Sequence, residues 1–344
     1  MSANPYENEP GFEDANEVSD KQNQRDYVQK VWLLFDAPCR LASANASSSP
    51  QIRHETIRIS VIQRMEEYLG IDPGTEGSGS LAANDNVTDS DEEGDDADEA
   101  NVPFEPFKDL CKRRFLWYYD SYIAAVQKGA SEVKDSQNFT RMPFEGSSNQ
   151  MDGKFHYAEL EQRLRNIKQV LDAETLGWAK EGLKGKAADS TIGFNLKGQY
   201  QQVAEAFKAG GMPHNVELVN DNPYVWSVTY VGKPMTNLDG GLFHFKMYFS
   251  PRFPDEQPRI VFETKLFHHR ISPDGTLCYF PNPSRREDVR SHIESVFEAL
   301  EEENPPYDPR TIVNPEASKL YWGGPDDRRL YNRRLRKSVQ ESME

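Results

Sequence analysis

Three cysteines in 344 residues, Cys39, Cys111 and Cys278, are too few and too scattered for a disulfide framework. No two of them have the C-x₂-C spacing of a metal site, so no metal is expected. Each is then either a small buried hydrophobe or a reactive thiol. Long apolar runs are also absent: none approaches the ~18 residues that cross a bilayer. The first residues are polar and acidic, unlike a secretory signal peptide. A soluble chain of the cytoplasm, the nucleus or both is the expectation, with no membrane partner. Excess positive charge is missing as well. The net charge is −16, and no dominant basic face is evident, which argues against nucleic acid as a partner.

Hydrophobic residues make up 37% of the chain and charged residues 28%, so a large solvated fraction is expected. The acidity is uneven. From residue 194 onward there are 19 Lys/Arg against 21 Asp/Glu, whereas residues 1–193 hold 21 against 35. Residues 1–20 are polar and read as an unfolded tail. Over 21–72, Tyr27, Val31 and Leu34 predict one helix, and Ile57, Val61, Met65 and Tyr68 predict a second, stopped by Gly70 and Pro73. Residues 73–101 are Gly/Ser-rich and then acidic, from Asp89 to Glu99 without a basic residue, which predicts a disordered linker. The region 102–193 is again helical. Phe107, Phe115, Trp117, Tyr118, Tyr119 and Tyr122 give an aromatic helix, read as core or packing surface. Leu160, Leu164, Ile167 and Leu171 mark the face of another, with 174–183 a candidate extension of it.

The pattern changes near residue 194. A helix over 196–209 stops at Gly210-Gly211, and four short alternating segments follow: 216–219, 224–231, 242–249 and 259–262. Hairpin-length connections make them an antiparallel meander. Ser272-Pro273-Asp274-Gly275 is a turn, with Pro presetting φ and Gly supplying positive φ. It delivers Cys278 on extended chain, where a thiol can reach a bulky partner. Val289, Ile293, Val296, Phe297 and Leu300 then define a helix face, and helices near 315–321 and 325–340 close an α+β layout.

Four local matches in order make residues 194–344 resemble the catalytic domain of the ubiquitin-conjugating enzyme family. Asp239-Gly240-Gly241-Leu242-Phe243 is similar to the family's hairpin into its third strand. FSPRFPDEQPRIVF at 249–262 resembles its proline-punctuated loop and fourth strand. His268-His269-Arg270-Ile271 stands where the family has His-Pro-Asn-Ile, with Cys278 eight residues beyond the Asn position. Asn304-Pro305 through Asp308-Pro309 and the run 316–321 resemble the segment after the long helix.

The resemblance implies the ubiquitin-conjugating fold: a helix, a four-stranded antiparallel meander and further helices, here preceded by a mostly helical N-terminal region. It implies that Cys278 accepts ubiquitin, or a ubiquitin-like modifier, as a thioester. The upstream activating enzyme uses ATP and this chain needs no cofactor of its own. The modifier then passes to a substrate amine or to a ligase. A thiolate suits that relay because a thioester stays activated towards amines.

The same resemblance assigns further residues. Arg270 replaces the family's Asn, and it or His269 can supply a donor to developing negative charge. Asp308 aligns with an Asp that positions or deprotonates the incoming lysine. Phe253, Asp255, Pro281 and Pro283 fall in the loops that meet ligases, where the family's exposed aromatic becomes Asp255 and its Trp is absent. The basic run Arg328 to Lys337 reads as a solvated helix face. The alternative reading is a catalytically silent binding module or a scaffold, favoured by the lost Asn and opposed by the retained Cys278.

Overall fold

The computed structural model describes residues 50–71, 107–140, 153–184, 191–211, 213–302, 305, 308 and 311–343. The expected helix around Val31, the acidic linker and Cys39 lie outside the described residues.

Four antiparallel strands form the sheet in sequence order: β1 (Asn215–Leu218), β2 (Val225–Val231), β3 (Leu242–Tyr248) and β4 (Arg259–Phe262). Alternation decides which face is dry. Trp226, Val228 and Tyr230 of β2 and Phe243, Phe245 and Met247 of β3 all point into one core, at a period of two. That core is closed by α4 (Thr191–Ala209) through Leu196, Val203 and Phe207, and by α5 (Val289–Glu301) through Val289, Ile293, Val296 and Leu300. α4 begins five residues ahead of the start expected at Leu196. Asp288 caps α5 by accepting from the Arg290 and Ser291 amides at 2.9 and 3.3 Å. Asn314 caps α6 (Pro315–Tyr321) through the Ala317 amide, and α7 (Pro325–Glu341) follows.

The N-terminal helices build a second core. Pro50–Glu55, Thr56–Gln63 and Arg64–Leu69 run on as one helix, α1, whose middle has π-type hydrogen bonding. Gly70, at φ 64°, terminates it in the left-handed conformation, as its place in the sequence predicts. α1 packs Ile57, Val61, Ile62 and Met65 against α2 (Lys108–Glu132) and α3 (Tyr157–Leu183). The aromatic residues of α2 supply Phe115, Tyr118 and Tyr122, and the stripe of α3 supplies Leu160, Leu164, Ile167 and Leu171. α3 does continue to Leu183 as one helix. Ion pairs tie the three together: Arg53–Glu132 at 2.8 Å, Arg163–Glu66 at 2.6 Å and Lys112–Glu174 at 2.5 Å. Among the described residues no helix is long and apolar enough to cross a membrane.

After β4 the chain turns back along the sheet edge. The Phe262 amide donates to the Gly275 carbonyl at 2.8 Å, and the Leu277 amide to the Ile260 carbonyl at 3.3 Å. The Gly275 amide donates to the Ser272 carbonyl at 2.9 Å, which closes the expected turn. Gly275 sits at φ 90°, and a Cβ there would lie 2.3 Å from the Phe262 carbonyl oxygen. Gly275→Ala is therefore expected to lower folding stability by roughly 1–3 kcal/mol, read as a shifted midpoint in urea denaturation. An unchanged midpoint contradicts the tight approach.

Candidate functional site

The site is built on the return chain at the β4 edge. Along 277–279 the side chains alternate: Leu277 and Tyr279 enter the sheet core, while Cys278 enters the core of the N-terminal helices, with Val313. The Cys278 amide donates to the Arg270 carbonyl at 2.9 Å, which fixes the thiol's position against the 268–271 segment.

Cys278 is 0% exposed. The sequence expectation of a thiol within reach of a bulky partner is thus not met in this conformation, because α2 covers it. Trp117 of α2 meets the Phe280 ring edge-on at 5.9 Å, and the Arg114 guanidinium lies 5.4 and 5.8 Å from the Trp117 and Phe280 ring centres. Burial pushes the Cys278 thiol up to about 11; Arg270, Arg114 and Arg113 pull the other way, and Asp308 adds to the rise. Covering the sulfur in this way favours the thiol over the nucleophilic thiolate.

Arg270 is buried and pairs with Glu302 through one terminal nitrogen, while its Nε has no partner among the described residues. It is close enough to Cys278 to favour the thiolate. Asp308, half-buried, is also within electrostatic range, and its carbonyl accepts from the Thr311 amide and hydroxyl at 3.0 and 2.8 Å.

His269 goes elsewhere. Its ring stacks on Tyr321 at 4.2 Å, meets Trp322 at 5.0 Å, and shares a hydrogen bond between Nδ1 and the Tyr331 hydroxyl at 3.3 Å. It anchors α6 and α7 rather than facing the thiol. Nothing in the local 268–271 motif announces this box, since its walls come from two helices more than fifty residues on.

Of the expected ligase-facing residues, Asp255 and Pro283 are exposed and Pro281 is half-buried. Phe253 is buried, edge-on to Phe249 at 5.4 Å and 6.0 Å from His292, so it holds the loop rather than a partner. On α7, Arg328 and Arg334 fold over the Tyr321 and Phe267 rings at 3.4 and 3.9 Å. The expectation of a wholly solvated basic face therefore holds only for the outer cations. No group of three or more His, Cys, Asp or Glu side chains is placed to hold a metal among the described residues.

The sequence did not single out Arg114, and it read Trp117 as packing surface without its target. The aromatic density of α2 signalled a packing surface, and the structure supplies its target.

A four-stranded antiparallel meander backed by helices, with Cys278 on the return chain at the β4 edge, is the fold that the family resemblance implies. The comparisons agree. The family model described as ubiquitin-conjugating enzyme matches residues 196–337. The chain is 30% identical over 129 residues to ubiquitin-conjugating enzyme E2 2 of Neurospora crassa, covering 37% of this chain and 81% of that one. It is 28% identical over 125 residues to ubiquitin-conjugating enzyme E2 1 of Caenorhabditis elegans, covering 36% and 62%. It is 29% identical over 140 residues to the ubiquitin-conjugating enzyme E2 of African swine fever virus, covering 37% and 63%. The chain belongs to the ubiquitin-conjugating enzyme family.

The buried histidines set an acid limit on the fold. Burial pulls His268 down to about 3, and His269 also falls, by burial with help from His268, Arg270 and Arg328. The unfolded chain takes up these protons near pH 6.5, before the folded one does. The stability that neutral imidazoles contribute is present above about pH 6.5 and is lost as pH falls towards 3. The urea midpoint should drop between pH 7 and pH 5, and by less in His268→Asn.

Proposed function

We propose that this chain is a ubiquitin-conjugating enzyme that carries ubiquitin, or a ubiquitin-like modifier, on Cys278. The observation that carries the reading is the alternation at 277–279, which turns Cys278 out of the sheet core while its neighbours anchor it. In loading, the Cys278 thiolate attacks the carbonyl of the modifier's thioester on the activating enzyme. A new C–S bond forms, the old one breaks, and the released thiolate of the activating enzyme gains the proton that Cys278 gave up. In discharge, an amine attacks the Cys278 thioester. The C–N bond forms, Cys278 leaves as thiolate, and the amine's proton goes to solvent or to Asp308.

Arg270 would support loading by favouring the thiolate, and Asp308, within electrostatic range of the sulfur, would orient the amine. The Glu302 pair engages the Arg270 guanidinium, and Arg270 still favours the Cys278 thiolate. Loading exchanges one thioester for another and needs little oxyanion help, whereas aminolysis needs more. The second reading, a silent binding module, is favoured by one observation, the complete burial of Cys278.

The test is a thioester assay with full-length chain, ATP, ubiquitin and activating enzyme. A reductant-sensitive adduct lost in Cys278→Ala, and converted to a reductant-stable ester in Cys278→Ser, is expected. In the charged protein, Asp308→Asn should slow discharge to free lysine by roughly 10²-fold with loading unchanged. No adduct with ubiquitin or ubiquitin-like modifiers moves the assignment to the binding module.

A further inference from the structure

The helices over Cys278 belong to a different core from the chain that carries it, and the two cores meet along a seam. Arg259 of β4 crosses it. Its guanidinium donates to the Leu171 carbonyl at 2.8 Å and the Thr175 hydroxyl at 2.5 Å, pairs with Glu174, and lies 4.3 Å from the centre of Trp178, all on α3. Lys168 of α3 reaches Asp274 of the active-site turn at 3.4 Å. The Gln257 amide donates to the Asp109 carboxylate at 3.4 Å, and the Asn222 side chain to the Ala179 carbonyl at 2.7 Å. Between these polar ties lies a cavity of about 280 Å³, walled by Leu116 and Trp117 on one side and by Ile260 and Leu277 on the other. A wall of ionic ties around an unfilled gap is the composition of a separable contact between units, unlike the dense apolar packing inside either core.

We propose that α2 and α3 form an autoinhibitory cap on Cys278, and that loading of the modifier requires this cap to swing away from the β4 edge. The proposal rests on the reading of Cys278 as the carrier. Attack on a thioester needs the sulfur within about 3–3.5 Å of the carbonyl carbon along an open path. Cys278 packs within the helical core together with Trp117, and Arg114 lies over the ring of Phe280 two residues on, so no open path is left. Because Leu277 and Tyr279 stay in the sheet core, lifting the cap bares Cys278 without unfolding the domain that bears it. Solvation of the sulfur removes the main cause of its reluctance to ionise, while Arg270, carried by the same domain, remains beside it. Opening therefore exposes and activates the thiol in one movement.

The experiment compares the full chain with Lys168→Glu and Arg259→Glu, one from each side of the seam. Alkylation by N-ethylmaleimide at fixed neutral pH is followed peptide by peptide, with Cys111 as internal reference. Cys111 lies in the helical core and reacts only when that core opens. Wild-type Cys278 should react on the order of a hundredfold more slowly than in the urea-unfolded chain, and about tenfold faster in each variant, with Cys111 still protected. Thioester formation with ubiquitin should accelerate in the same order. Fast alkylation of wild-type Cys278, or rates at Cys278 and Cys111 that rise only together, overturns the cap. Selective exposure of Cys278 with no adduct in any form removes the carrier reading instead, and the gating role with it.

Discussion

An extended chain cannot turn three consecutive side chains to the same side. With Leu277 hydrogen-bonded onto β4 and both Leu277 and Tyr279 committed to the sheet core, Cys278 must face outward. Everything else about the site is arranged around that direction. The 272–275 turn sets the register of the return chain, Gly275 admits the close approach to Phe262, and Arg270 receives the Cys278 amide. The N-terminal helices occupy the space into which the sulfur points.

The charges around the thiol divide by ownership. Arg270 and Asp308 belong to the conjugating domain, whereas Arg113 and Arg114 arrive with α2. In this conformation four groups act on a sulfur already penalised by burial, and burial is the largest influence. Glu302 adds a counterweight by pairing with the buried Arg270. The family's Asn has thus been replaced by a residue with a fixed partner of its own. Nucleophile activation and oxyanion stabilisation are separate demands, and Arg270 lies close enough to the thiol to favour its charged form.

The meander, its flanking helices and the active-site turn were legible because their signals are local. The period of two in β2 and β3, the Pro-Asp-Gly turn and the apolar stripe of α5 each span a dozen residues or fewer. The resemblance to the family's motifs then singled out Cys278 within 194–344. The docking of α2 onto that cysteine was not legible, because it joins residues some 160 positions apart through a surface whose aromatic content suits any buried face equally. His269 shows the same limit on a smaller scale. Read within its motif it is a possible donor, but the rings of Tyr321, Trp322 and Tyr331 make it a structural anchor. The inward turn of Phe253 likewise depends on His292, on a helix that its own loop does not foreshadow.

The seam at Arg259 joins two parts of one polypeptide, and that has a consequence for how it can be opened. A tethered surface confronts its target at an effective concentration of the order of millimolar, whatever the protein's abundance. Dilution does not release it, and a weak free competitor at micromolar level does not displace it. Only a binder that gains substantially more from the bare β4 edge than α3 does can shift the balance, and every copy of the chain responds to it independently of its neighbours.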